Sequence, residues 1–142
     1  MNDQEACPIH VLLVDDNDGI RRLVRSILSS DGILVLEASD GKNALEVSRS
    51  HRGPLHVLLT DVLMPGMSGV ELAGHLVQER PGVKVILMSS EEPPEGTLSA
   101  VFLQKPFSPG RLLNCVRNSE DELASSPPSG RLLRDRATTA LI

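Results

Sequence analysis

Aromatic side chains are nearly missing from this chain: Phe102 and Phe107 are the whole set, with no Trp and no Tyr. A platform that stacks unpaired bases has nothing to be built from, and the core has to be aliphatic. Basic charge is also short. Fourteen Lys and Arg against nineteen Asp and Glu leave a formal net charge of -5, which argues against the basic surface that non-specific nucleic-acid binding needs and points to cationic ligands or partners. The cysteines Cys7 and Cys115 are far apart, fit no metal-ligand spacing and read as ordinary thiols. No run approaches the ~18 apolar residues of a membrane span. The first ten residues lack the basic, apolar and small-residue zones of a signal peptide, so the expected location is the cytoplasm, away from membranes.

What is present fits one folded domain. The 142 residues, 40% of them hydrophobic, suffice to bury a core without disulfides or a structural metal. Short apolar runs alternate with helical patterns along the chain. His10–Val14 is continuously apolar after its first residue and ends in Asp15-Asp16, as a strand buried on both faces would. Asn17 or Asp18 can cap the helix that follows, whose inward stripe is Ile20, Leu23, Val24, Ile27 and Leu28. A second strand over Ile33–Ala38 leads to a weaker helix through Ala44, Leu45 and Val47, capped by Ser39 or Asp40. A third, Leu55–Thr60, delivers Asp61.

Ser68 and Glu71 have the spacing of a capping box, and the helix they start is expected to turn Val70, Ala73, Leu76 and Val77 inward. The fourth strand, Val83–Met88, is followed by Ser89. Pro93-Pro94 and Gly96 then leave room for at most one turn of helix before a fifth strand over Ala100–Gln104 and Lys105-Pro106-Phe107. Ser108 and Pro109 begin the last helix, carrying Leu112, Leu113 and Val116. Beyond residue 124 the composition becomes that of a flexible linker and tail, 125–142. Such alternation predicts a doubly wound parallel α/β sheet, whose right-handed crossovers place every carboxyl end on one edge. That edge collects Asp15, Asp16, Asp61, Ser89 and Lys105.

Three carboxylates on one edge repel one another unless a cation sits among them, and Mg²⁺ is the hard ion that one or two carboxylates plus waters and a phosphate oxygen satisfy. With a lysine and a hydroxyl beside them, the set suits phosphoryl transfer to Asp61. An Asp pair after a strand, a Ser-Ser or a lone Lys is, taken singly, more often a cap, a turn or a solvated surface group. His10, His51, His56 and His75 fall on different elements and read as structural or surface residues.

Taken together, Asp15-Asp16, Asp61 followed by Met64-Pro65 and Gly69, Ser89, and Lys105-Pro106-Phe107 resemble the receiver domains of two-component response regulators, in flavour those of hybrid histidine kinases. The resemblance runs from about Ile9 to Asn118 and implies a flavodoxin-like sheet of order 2-1-3-4-5, here with a shortened or missing fourth helix. It implies that Asp61 accepts a phosphoryl group from a sensor histidine kinase or a phosphotransfer protein, with no enzyme activity beyond self-phosphorylation and self-dephosphorylation. Asp15, Asp16, Asp61 and the Val62 carbonyl would hold Mg²⁺, or Mn²⁺. Ser89 would be the switch hydroxyl, Lys105 the phosphate-pairing lysine in a cis Lys105-Pro106 unit, and Phe102 the rotameric switch. Leu63 and Glu91 would tune loss of phosphate.

The function implied is a stand-alone receiver, residues 1–124, that signals to an unknown output protein through protein contacts. Two alternatives stay open: a phosphorylation-independent adaptor, and a receiver fragment of a hybrid kinase. A haloacid-dehalogenase-like phosphatase would need a second aspartate two residues after Asp61, where Leu63 stands, and no Gly-rich nucleotide loop follows the first strand.

Overall fold

A computed structural model describes residues 8–91 and 100–117. Within them the elements run β1 (His10–Val14), α1 (Asp18–Ser30), β2 (Leu34–Ala38), α2 (Gly41–Ser50), β3 (Val57–Asp61), α3 (Gly69–Glu79), β4 (Lys84–Ser89), β5 (Val101–Gln104) and α4 (Pro109–Arg117). All strand pairs are parallel, and the sheet order is β2-β1-β3-β4-β5, as expected. The breaker-rich segment 93–99 and the tail 125–142 lie outside the described residues, so among those residues the β4-to-β5 crossover contributes no helix.

Successive residues of a strand point to opposite faces, and the two faces carry separate cores. Val11, Leu13, Leu59, Ile86, Met88 and Leu103 pack under α1 and α4 with Val24, Leu28 and Leu112. Leu12, Val14 and Leu58 pack under α2 and α3 with Leu45, Leu72 and Leu76. Each fully buried leucine contributes about 2 kcal/mol of transfer free energy. With no Trp or Tyr available, the single buried aromatic among the described residues is Phe107, which joins the α1/α4 core.

Helix starts follow the expected chemistry and resolve its open choices. Asn17, not Asp18, caps α1 by accepting the Ile20 N–H at 2.9 Å, and Asp40, not Ser39, caps α2 by accepting the Asn43 N–H at 2.7 Å. Ser68 and Glu71 form the reciprocal capping box at 3.1 and 3.0 Å. Two expected core positions are corrected. Leu23 and Val77 are 40% and 37% exposed, and Leu72, absent from the expected stripe, is fully buried. The physical reason is stripe width: α1 and α3 each lie on one sheet face, so the rows Val24–Leu28 and Leu72–Leu76 bury while residues one step round the helix reach solvent. Arg80 ties α2 to α3 by donating to the carbonyls of Ser48, His51 and Gly53 and to the Ser48 hydroxyl, supplying donors that the end of α2 lacks.

Candidate functional site

Each residue of the expected site lies at or just beyond a carboxyl end of a strand. Asp15 and Asp16 follow β1, Asp61 ends β3, Ser89 ends β4, and Lys105 directly follows β5 and is joined to Pro106 by a cis peptide. The carboxylates of Asp15, Asp16 and Asp61 converge, one oxygen from each lying within 4.8 Å of the others. Lys105 Nζ is 3.0 Å from Asp61 Oδ1 and 3.7 Å from Asp15 Oδ2.

Asp15 is held on three sides. Its N–H donates to the Ala38 carbonyl, its Oδ1 accepts the Asn17 N–H at 2.9 Å, and its carbonyl accepts Arg21 Nη1 at 2.7 Å. Its Oδ2, although buried, has no hydrogen-bond partner, and at 3.7 Å the Lys105 ammonium is too far to supply one. A buried carboxylate oxygen left unsatisfied costs free energy that a hard cation would recover, and three convergent carboxylate oxygens are the donor set such an ion prefers. The residues therefore fit a divalent metal.

Other expected members are placed with more specific partners. Ser89 is buried, and its hydroxyl accepts the Glu91 N–H at 3.0 Å. The Val62 carbonyl accepts the Gly69 N–H at 2.8 Å at the start of α3, one of the two bonds a carbonyl oxygen can accept. Leu63 is 63% exposed, Glu91 is exposed, and Phe102 is half-buried opposite Leu87 in the β4–β5 register. Arg21 falls outside the expected apolar stripe of α1 and had no role legible from the sequence. An acidic partner three residues earlier, Asp18, was the available signal.

The histidines stand apart from this edge. His10, His51 and His56 gather near the amino ends of β1 and β3, with ring centroids 5.5 and 5.6 Å apart. The His10 N–H donates to His56 Nδ1 at 2.9 Å, and the His51 ring bonds the Pro54 carbonyl at 3.0 Å. Among the described residues, the group able to hold a metal is the aspartate cluster.

A match to the family described as response regulator receiver domain covers residues 11–117. The chain belongs to that family. Receiver domains are signalling domains of two-component systems that interact with histidine kinases or phosphotransfer proteins and with output domains. The probable transcriptional regulatory protein TcrX of Mycobacterium tuberculosis is 32% identical over 107 residues, 71% of this chain and 45% of that protein. The sensor kinase CckA of Brucella abortus is 36% identical over 113 residues, 75% of this chain and 12% of that protein. The chain thus spans less than half the length of these relatives. The chemotaxis protein CheY4 of Vibrio cholerae superposes with a TM-score of 0.72 at 30% identity, covering 79% of this chain and 98% of that one. No helix among the described residues is long and apolar enough to cross a membrane.

The electrostatics give the receiver site a measurable signature. Burial raises the Asp61 carboxyl above its ordinary range, Lys105 pulls it back by hydrogen bond and charge, and Asp15 and Asp16 push it up. A raised folded-state value means that the fold binds this proton more tightly than the unfolded chain does. The resulting stability is present below the unfolded value and lost as pH rises through the folded one. The loss grows as pH rises above the carboxylate range in the metal-free protein. Asp61→Asn is accordingly expected to raise the melting temperature at neutral pH in chelator, with the gain vanishing below the carboxylate range. Scanning calorimetry across pH checks the sign.

Proposed function

We propose that this chain is a stand-alone receiver that takes a phosphoryl group on Asp61 from the phosphohistidine of a sensor histidine kinase or phosphotransfer protein and signals by protein contacts in the cytoplasm. The observation that carries the reading is Lys105 Nζ at 3.0 Å from Asp61 Oδ1, beside two further carboxylates. A carboxylate oxygen of Asp61 attacks phosphorus, the new P–O bond forms as the donor's P–N bond breaks, and the bond's electron pair leaves with the imidazole. Lys105 neutralises charge on the transferred group. Asp15, Asp16 and Asp61 hold Mg²⁺, or Mn²⁺, which when bound supplies positive charge beside the phosphoryl oxygens. Asp61 acts as nucleophile and the chain as acceptor, not as an enzyme with turnover on a separate substrate.

The added anionic oxygens would draw the Ser89 hydroxyl from the Glu91 N–H, and the segment after β4 would follow, with Phe102 as the rotameric partner. Leu63 and Glu91 flank the site and tune loss of phosphate. On this reading the receiver occupies residues 1–124, followed by a C-terminal tail, 125–142. Similarity to sensor kinase CckA supports a second reading with the same chemistry, in which the chain is the receiver segment of a hybrid kinase.

With a small acyl phosphate donor and Mg²⁺, the protein should gain the mass of one phosphoryl group, released by hydroxylamine as an acyl phosphate is. No mass gain from either a small donor or a phosphorylated kinase would overturn the reading.

A further inference from the structure

Arg21 reaches the backbone beneath the acidic cluster. It lies on α1, its side chain is 17% exposed, and its guanidinium is engaged at all three nitrogens. Nη1 donates to the Asp15 carbonyl at 2.7 Å, Nη2 to Asp18 Oδ1 at 2.8 Å, and Nε to Glu37 Oε1 at 3.3 Å. Glu37 comes from β2 and also pairs through Oε2 with Arg25 at 3.0 Å. The fork is thus fixed from α1 and from the edge strand before it touches Asp15.

The carbonyl of Asp15 and the N–H of Asp16 belong to one rigid peptide plane. The amide and carboxylate of Asp15 are held by Ala38 and Asn17; the carbonyl is held by Arg21. Asp16 is exposed, and among the described residues its carboxylate makes no hydrogen bond, so the plane behind it governs where that carboxylate is presented. Resting on the metal-dependent receiver reading above, we infer that Arg21 is a positioning residue for the acidic pair, setting the divalent-ion affinity of the cluster by fixing the Asp15–Asp16 peptide. A lysine keeps the charge but has a single nitrogen in place of the planar fork that reaches Asp15, Asp18 and Glu37 from three separate nitrogens.

Isothermal titration of Mg²⁺ and Mn²⁺ into the metal-free full chain tests this, with Arg21→Lys compared against Arg25→Gln, which shares Glu37 but does not touch Asp15. Loss of a group that orients metal ligands is expected to weaken the dissociation constant about tenfold in Arg21→Lys, with Arg25→Gln unchanged within about twofold. Labelling from a small phosphodonor should need correspondingly more Mg²⁺ in Arg21→Lys and return to the parent rate at saturating Mg²⁺, because Asp61 and Lys105 are untouched. A general structural defect would instead lower the saturated rate. A parent protein that binds neither ion would overturn the metal site and this inference with it. A parent that binds, with Arg21→Lys indistinguishable from Arg25→Gln, would overturn the role of Arg21 alone. Should Arg21→Lys fail to fold by circular dichroism, Glu37→Ala removes one support of the fork; weakened binding sustains the inference and unchanged binding overturns it.

Discussion

If Asp61 is the phosphoacceptor, replacing it with Asn is expected to drop phosphoryl labelling to background while the protein remains folded. The amide has nearly the shape of the carboxylate and keeps an oxygen for Lys105 Nζ, which lies 3.0 Å from Asp61 Oδ1. What disappears on the proposed reading is the anionic oxygen that would bond to phosphorus, the one carboxylate oxygen placed 3.0 Å from Lys105 Nζ among the described residues. Lys105→Ala is a different lesion. The nucleophile stays and one charge-stabilising donor is lost, so labelling slows about a hundredfold without vanishing. Intact-mass kinetics with a small phosphodonor separates the two. Labelling of Asp61→Asn that persists and maps to Asp15, Asp16 or a histidine would sink the assignment of Asp61.

Strands at the centre of the sheet were legible because burial on both faces leaves continuous apolar runs, as in Val11–Val14 and Val57–Leu59. Caps were legible as well, since Ser68 and Glu71 satisfy a local backbone need that only spacing decides. Faces of helices were less so. The expected stripe of α3 included Val77 and omitted Leu72, whereas Leu72 is buried and Val77 exposed, because the rows that bury depend on how the helix lies on the sheet. In the site, the convergence of Asp15, Asp16, Asp61 and Lys105 followed from parallel topology, because every strand's carboxyl end shares one edge. Hydrogen bonds that depend on the path of the backbone were not legible. Arg21 on the Asp15 carbonyl, Glu91 on the Ser89 hydroxyl and Gly69 on the Val62 carbonyl depend on backbone positions that no residue pattern encodes.

Gly69 is where the fold and the chemistry of Asp61 constrain each other most tightly. It opens α3 directly against the end of β3. A Cβ there would lie 2.0 Å from the Asp61 carbonyl oxygen, 2.9 Å from the Asp61 carbonyl carbon and 3.1 Å from the Val62 Cα. All three are backbone atoms, so no rotamer change relieves the clash. Either α3 lifts from the sheet, loosening the fully buried Leu72 and Leu76, or the backbone carrying the phosphoacceptor shifts. Gly69→Ala should therefore cost about 3 kcal/mol, the upper end for overpacking, out of the roughly 5–15 kcal/mol that holds a domain together. Gly74, in the same helix, supplies the control: a Cβ there meets nothing within 4 Å. Gly74→Ala removes only glycine's backbone freedom and should stabilise by about 0.5–1 kcal/mol. Urea unfolding followed by circular dichroism, which suits a chain without Trp or Tyr, reads both. The two substitutions are chemically identical and sit in one helix, so helix propensity predicts the same sign for both. Opposite signs isolate the close approach of α3 to Asp61 as the cause. A Gly69→Ala protein as stable as the parent would mean that the backbone at Asp61 yields, and that the position of the phosphoacceptor is not set by α3.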